Sequence, residues 1–237
     1  MEQHETEAAL LPNIANQMRS LLSNLYLAAS QVIPPEQREQ DPALDAKAAI
    51  LEQSFFRLLR LVNSMSAAEY LSDSQTLSLR DADLVKLVSE VCESSADLAE
   101  QLGIQLKFVC AMDRRVCAIH PAAVEQMLYH LLSNALKFTP AGGTVTVELK
   151  KSGETLRLTI SDTGCGIPED ALQKIFTGSY EKSAAPVDGT RSNMGIGLSV
   201  CAAIVKAHGS DITAENRKGG GAVFRFALER GSEDDGQ

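Results

Sequence analysis

Two apolar seams, separated by a pair of prolines, constrain the first third of this chain more tightly than any other feature. Leu11, Ile14, Met18, Leu21, Leu25, Ala28 and Val32 recur at steps of three and four, the a and d places of a coiled coil or helical bundle. Pro34-Pro35 end that seam. After a polar turn through Asp41 a second one runs Leu44, Ala48, Leu51, Phe55, Leu58, Val62 and Met65. The pattern predicts a helical hairpin within residues 1–72.

A hairpin of this size covers only one stripe of each helix and leaves the other side open. Two solutions exist: a homodimer in which two hairpins form a four-helix bundle, or packing of the hairpin on the rest of its own chain. The remaining length decides nothing between them, because 237 residues suffice for a second domain with a full core. Apolar residues at 44% and charged residues at 22% are ordinary globular values.

The formal charge of −9 speaks against a broad nucleic-acid or anionic-membrane surface and leaves room for a local polyphosphate pocket. Glu233, Asp234 and Asp235 place part of that charge in an acidic tail, residues 230–237. Cys92, Cys110, Cys117, Cys165 and Cys201 contain no CxxC pair and read as free thiols in a reducing compartment. The polar, acidic start lacks a signal-peptide pattern, and no apolar run reaches the ~18 residues of a membrane span. A cytoplasmic protein without membrane or nucleic-acid partners is expected. Loop-rich stretches fall near residues 33–43 and 177–194.

From about residue 80 the pattern becomes mixed. Asp83 to Leu102, Ala122 to Phe138 and Gly197 to Ala207 have helical period. Gln105 to Cys110, Thr144 to Leu149, Thr155 to Ser161 and Ala222 to Leu228 alternate as strands, with a hairpin turn at Lys151-Ser152-Gly153-Glu154. The expected class is α+β: a helical hairpin followed by an α/β sandwich over residues 80–229.

Four segments lie along this second region in order. Asn134-Ala135-Leu136-Lys137 sits on a helix. Asp162-Thr163-Gly164-Cys165-Gly166-Ile167 follows a strand, Phe176 comes next, and Gly195-Ile196-Gly197-Leu198 opens a helix. Together they resemble the N, G1, F and G2 boxes of the histidine-kinase, gyrase and Hsp90 (GHKL) ATPases. A Ser/Gly/Asp-containing lid between Thr177 and Asn193 fits the same plan. No Walker A sequence is present, which excludes a P-loop NTPase.

The resemblance implies ATP and Mg²⁺ as cofactors, and each box has a chemical rationale. The Asn134 carboxamide oxygen is a hard neutral ligand suited to Mg²⁺, and Lys137 follows one turn later with an ammonium for phosphate. Asp162 can accept the adenine exocyclic N–H, while Gly164 and Gly166 let the backbone approach the base. Gly195 and Gly197 open a helix whose free N–H groups favour an anion.

Within this superfamily the run from Gln126 to Pro140 looks like the histidine-kinase version of the N box, and Ile204-Val205-Lys206-Ala207-His208-Gly209 follows the last helix as in kinases. His130 stands one turn before Asn134, where it either polarises a water beside Mg²⁺ or is a satisfied interior residue. His4, His120 and His208 show no metal-ligand spacing and read as structural.

The first helix resembles the dimerisation and phosphotransfer helix of these kinases. Leu11-Pro12-Asn13-Ile14-Ala15-Asn16-Gln17-Met18-Arg19-Ser20-Leu21-Leu22 aligns with the phosphoacceptor segment without a gap, which puts Asn16 at the phosphorylated histidine and Gln17 at its acidic neighbour. With Leu11 and Met18 at a, Asn16 lies at f, outside the seam. A carboxamide nitrogen is delocalised into its carbonyl and cannot act as the nucleophile. His4-Glu5 is the other candidate acceptor, upstream of the seam. Ser20 occupies the place where related kinases position a water for phosphatase action.

The resemblance thus implies a homodimeric, ATP-binding kinase homologue that does not label itself at the usual position and that regulates a response regulator or kinase partner. An active kinase or phosphatase acting on a partner, a slow ATPase, and a structural dimer with a vestigial site are the alternatives.

Overall fold

The computed structural model describes residues 14, 17–22, 24–26, 28–29, 32, 37, 41–64, 77–153, 155–177 and 195–229, those at 60, 63, 64, 195 and 196 by backbone alone. His4, Asn16, most of the lid and the tail 230–237 lie outside them. The chain divides into two compact units, Met1–Ser66 and Ala67–Gln237.

In the first unit, the described residues between 14 and 32 are helical, and α1 spans Pro42–Ser64. Asp41 starts α1: its carboxylate accepts from Ala43 N–H (2.9 Å) and Leu44 N–H (3.3 Å), and Pro42 takes the first helical place, where no N–H is needed. Helix therefore begins inside the stretch expected as loop. Tyr26 packs on Phe55 with ring centroids 4.5 Å apart, and Ala48, Phe56, Leu59 and Val62 are buried beside them.

The strict second seam needs one correction here. Leu58 is 46% exposed and Leu59 takes the inward place. A straight α-helix repeats every 3.6 residues and drifts away from a 3.5-residue seam, so along α1 the covered stripe moves to the next residue.

The second unit begins with β1 (Arg80–Asp83) and α2 (Leu84–Gln101), followed by β2 (Gln105–Cys110), β3 (Val116–Ile119) and α3 (Pro121–Phe138). Then come β4 (Thr144–Ser152), β5 (Thr155–Asp162), α4 (Glu169–Leu172), α5 (Gly195–Ala207), β6 (Thr213–Asn216) and β7 (Ala222–Glu229). β1 and β3 pair antiparallel, and the main sheet has the order β2-β4-β5-β7-β6, parallel only between β2 and β4. That pairing needs a crossover, which β3 and α3 supply.

Local chemistry explains the boundaries. The Asp83 carboxylate accepts from Val85, Lys86 and Arg115 N–H, so it caps α2 and ties it to the β3 approach. His120 caps α3 by accepting from Ala123 N–H at 3.2 Å, with Pro121 at the first turn. β4 runs on into the expected hairpin turn as far as Ser152, β5 begins at Thr155 as expected, and Gly153 between them has φ 63°. On both strands alternate residues are buried, Val145, Val147 and Leu149 opposite Leu158, Ile160 and Asp162 among the inward set. Leu128, Leu131 and Leu132 of α3 and Leu198, Cys201 and Val205 of α5 are buried as well.

Candidate functional site

The site begins with a break in an apolar period. Leu156, Leu158 and Ile160 take successive inward places on β5, and the next inward place is Asp162, 4% exposed. A carboxylate at such a position must find hydrogen bonds. Its Oδ1 accepts from Gly164 N–H at 2.8 Å and from Ala222 N–H at 3.1 Å. Both bonds fall on one oxygen, so the carboxylate plane is fixed and Oδ2 is left for another donor.

The turn after Asp162 is threaded between neighbours. Thr163 N–H donates to the Thr144 carbonyl (3.1 Å) and its Oγ1 accepts from Thr144 N–H (2.9 Å). A side chain at Gly164 would overlap the Phe138 carbonyl at the end of α3, and Gly166 has φ 72° with the Asn216 side chain close by. Both glycines are there for clearance.

Asp162 lines a cleft that opens to solvent. Asn134, Ala135 and Phe138 of α3 form one wall; Gly166, Ile167 and Ile175 another; Leu198, Ala222 and Phe224 complete it. Asn134 and Phe138 are one helical turn apart and so share a face. Among the described residues, two polar side chains, Asn134 and Asp162, thus punctuate an otherwise apolar lining, the pattern of a small-molecule site.

The other expected residues surround this cleft at differing distances. Phe176 stacks edge-on to Phe224, 6.3 Å between centroids, and so backs a cleft-lining ring. The Lys137 ammonium lies 4.9 Å from the Phe138 ring centroid. Gly195 is the first residue of α5, and Gly197 faces the His130 ring, whose Nδ1 would lie 3.0 Å from any Cβ added there. His130 is buried against that glycine and does not line the cleft. Gln17 and Ser20 are exposed helical residues of the first unit.

His208 is built into the frame. Its Nδ1 lies 2.7 Å from the Ile204 carbonyl and its Nε2 accepts from His120 N–H at 3.0 Å, which suits a neutral ring carrying its proton on Nδ1. Burial holds its pKa below the ordinary value, the Ile204 bond opposes that shift, and His120 adds to it. Burial likewise pushes the Cys92 thiol up to about 12 and raises that of Cys201. All five cysteines are free thiols, Cys165 the exposed one.

One whole side of the site, the connection between β6 and β7, holds none of the residues expected from the motifs. Asn216 and Arg217 both bond to the Asp162–Ile167 segment, and Gly221 passes so close that a side chain there would overlap the Asp162 carbonyl. The run Gly219-Gly220-Gly221, all at positive φ, was the available signal of a close backbone approach.

Residues 119–232 match the family model of the histidine kinase-, DNA gyrase B- and HSP90-like ATPases. They form an ATPase domain of this family. Sensor protein KdpD of Clostridium acetobutylicum is 28% identical over 97% of this chain and 25% of its own length. Adaptive-response sensory kinase SasA of a Synechococcus strain is 29% identical over 96% of this chain and 60% of its own. The chain therefore spans between a quarter and 60% of the length of these relatives.

Among solved structures, the catalytic domain of histidine kinase ThkA is 25% identical with a TM-score of 0.56, covering 64% of this chain and 97% of that one. Full-length ShkA in complex with AMPPNP shares the fold at a TM-score of 0.59 and 23% identity, covering 93% of this chain and 46% of that one. The ATPase domain is of the histidine-kinase type, a kind of domain that binds ATP, usually with Mg²⁺. No helix among the described residues is long and apolar enough to cross a membrane.

Proposed function

We propose that this chain is a histidine-kinase-like signalling protein that holds ATP with Mg²⁺ in the cleft, does not phosphorylate itself at Asn16, and regulates a two-component-type partner. One observation carries the reading: among the described residues, a fixed, buried carboxylate and an amide are the polar side chains of a cavity otherwise walled by Phe138, Ile167, Ile175, Leu198 and Phe224. Apolar walls suit the faces of a purine, and the Asp162 Oδ2 suits its exocyclic N–H.

The donor set also fits the metal. Among the described residues no three His, Cys, Asp or Glu side chains gather into a cation site. Asn134, which lines the cleft, would be the protein ligand of Mg²⁺, an ion that takes few protein ligands, and the ion would supply positive charge against a polyphosphate. Lys137, whose ammonium rests over a cleft-lining ring, supplies a second positive charge, and the opening turn of α5 at Gly195 supplies N–H donors.

The hairpin in residues 1–72 serves as the dimerisation element, with residues 80–229 as the nucleotide domain and 230–237 as an acidic tail, in a cytoplasmic setting that suits five free thiols. Asn16 and Gln17 remove the nucleophile and the proton acceptor of self-labelling. A second reading, phosphatase or kinase action on a response regulator, draws on Ser20, which is exposed on the first helix.

Calorimetric titration with ATP and Mg²⁺ tests the site, and absence of heat assigns the chain to a vestigial structural role. Incubation with γ-labelled ATP then separates the rest. No stable label is expected on the purified chain, and label appears when Asn16→His and Gln17→Glu are combined. Label on the unaltered chain would contradict the proposal, and release or transfer of phosphate only with a partner present would favour the second reading.

A further inference from the structure

The β6–β7 connection contributes two side chains whose bonds nothing in the cleft itself requires. Asn216 grips Ile167 at both backbone groups: its Oδ1 accepts from Ile167 N–H and its Nδ2 donates to the Ile167 carbonyl, each at 2.7 Å. This two-point clamp is possible only because Gly166 lacks a Cβ, which would stand 2.8 Å from Asn216 Oδ1. The next residue holds the other end of the same segment, as Arg217 Nη1 donates to the Asp162 carbonyl at 2.8 Å.

The connection closes on itself and on Asp162. Arg217 N–H donates to the Gly221 carbonyl at 2.9 Å, and Ala222 N–H reaches Asp162 Oδ1 at 3.1 Å. Consecutive residues thus fix both ends of the stretch from Asp162 to Ile167, the stretch that supplies one polar and two backbone-close members of the cleft. Neither Asn216 nor Arg217 lines the cavity. Their effect on a ligand must pass through the groups they hold.

We infer that Asn216 and Arg217 are positioning residues for base selection, setting the Asp162 carboxylate and the Ile167 backbone against the adenine and leaving the triphosphate end to Asn134, Lys137 and α5. This rests on the reading of the cleft as an adenine-nucleotide site. A displaced carboxylate loses its fit to an exocyclic amino group, and polar recognition of this kind discriminates between bases only when donor and acceptor are held in register.

The test compares dissociation constants for ATP and GTP in the full chain with Mg²⁺. Asn216→Asp keeps the acceptor for Ile167 N–H and sets an oxygen against the Ile167 carbonyl; Arg217→Met removes the donor to Asp162; Arg217→Lys keeps one. Asn216 and Arg217 are both exposed, so these chains are expected to fold, as thermal denaturation will report. Asn216→Asp and Arg217→Met should each weaken ATP roughly tenfold, the size of one lost or opposed hydrogen bond, with GTP changed less than about twofold. Arg217→Lys should restore most of the difference, and Lys218→Met, beside them in the same connection, should leave both nucleotides unaffected.

Equal losses for ATP and GTP would assign these residues a general structural role and overturn the inference, as would wild-type affinities in Arg217→Met or a wild type that binds the two nucleotides equally. A wild type that binds no ATP sinks the reading of the site instead, and so is a separate result.

Discussion

The two units treat the same kind of side chain in opposite ways. In the second, Leu131 of α3 and Leu158 of β5 are wholly buried, whereas in the first Leu21 is 68% and Leu25 63% exposed, with Ile14, Met18 and Val32 also open. A sheet covered by helices finds cover for its leucines inside the chain. Among the described residues of the first unit the cover lies around Tyr26 and Phe55, and apolar residues of the expected first seam stay open. Apolar periodicity therefore marks an inside in one unit and an uncovered stripe in the other.

That contrast can be broken at several points, of decreasing size. Leu158→Ala should cost about 2–5 kcal/mol, because the fully buried strand position leaves a cavity, and thermal unfolding of the ATPase domain should report it at any protein concentration. Leu21→Asp combined with Leu25→Asp should leave that transition in place and shift the chain from dimer to monomer in sedimentation. An unchanged mass would mean that the exposed seam is not the contact. Asp83→Ala should cost about 1 kcal/mol through the lost cap of α2, read as a lower denaturation midpoint with an unaltered slope.

The narrowest effect is one of pH. The folded His208 imidazole takes up a proton at lower pH than the same ring in the unfolded chain, whose ordinary value is 6.5. Stability is then fully present above about 6.5 and declines as the pH falls through that value toward the folded pKa. His208→Gln retains an acceptor for His120 N–H and should flatten this part of the profile. Persistence of the decline in that variant would move its origin elsewhere.

Residues that repeat were legible in the sequence, and residues that act across long separations were not. Gln105 to Cys110 and Thr144 to Leu149 alternate strongly enough to read as strands, and Asn134, Asp162, Gly166, Ile167 and Leu198, each in a motif visible in the sequence, line one cleft. β1 is Arg-Asp-Ala-Asp and β6 is Thr-Ala-Glu-Asn. Neither has an apolar period of its own, and each exists because a partner strand supplies its hydrogen bonds. Asn216 and Arg217 bond to groups 49 and 55 residues away, a relation no local pattern encodes. Leu58 shows the converse: a regular seam predicts it inward, and the drift of a straight helix turns it out and Leu59 in.

The parallel contact between β2 and β4 has a bearing on how the domain comes into being. β4 and β5 are joined by a two-residue connection, Gly153 and Glu154, and can zip together early from neighbouring chain. β2 can join only after β3 and all of α3 have been laid across, and β7 must return to β5 over more than fifty residues. Loop-closure entropy makes such late arrivals slow. Refolding should accordingly protect the amides of β4 and β5 from exchange first, with those of Gly164 and Ala222, which hold the Asp162 carboxylate, among the last.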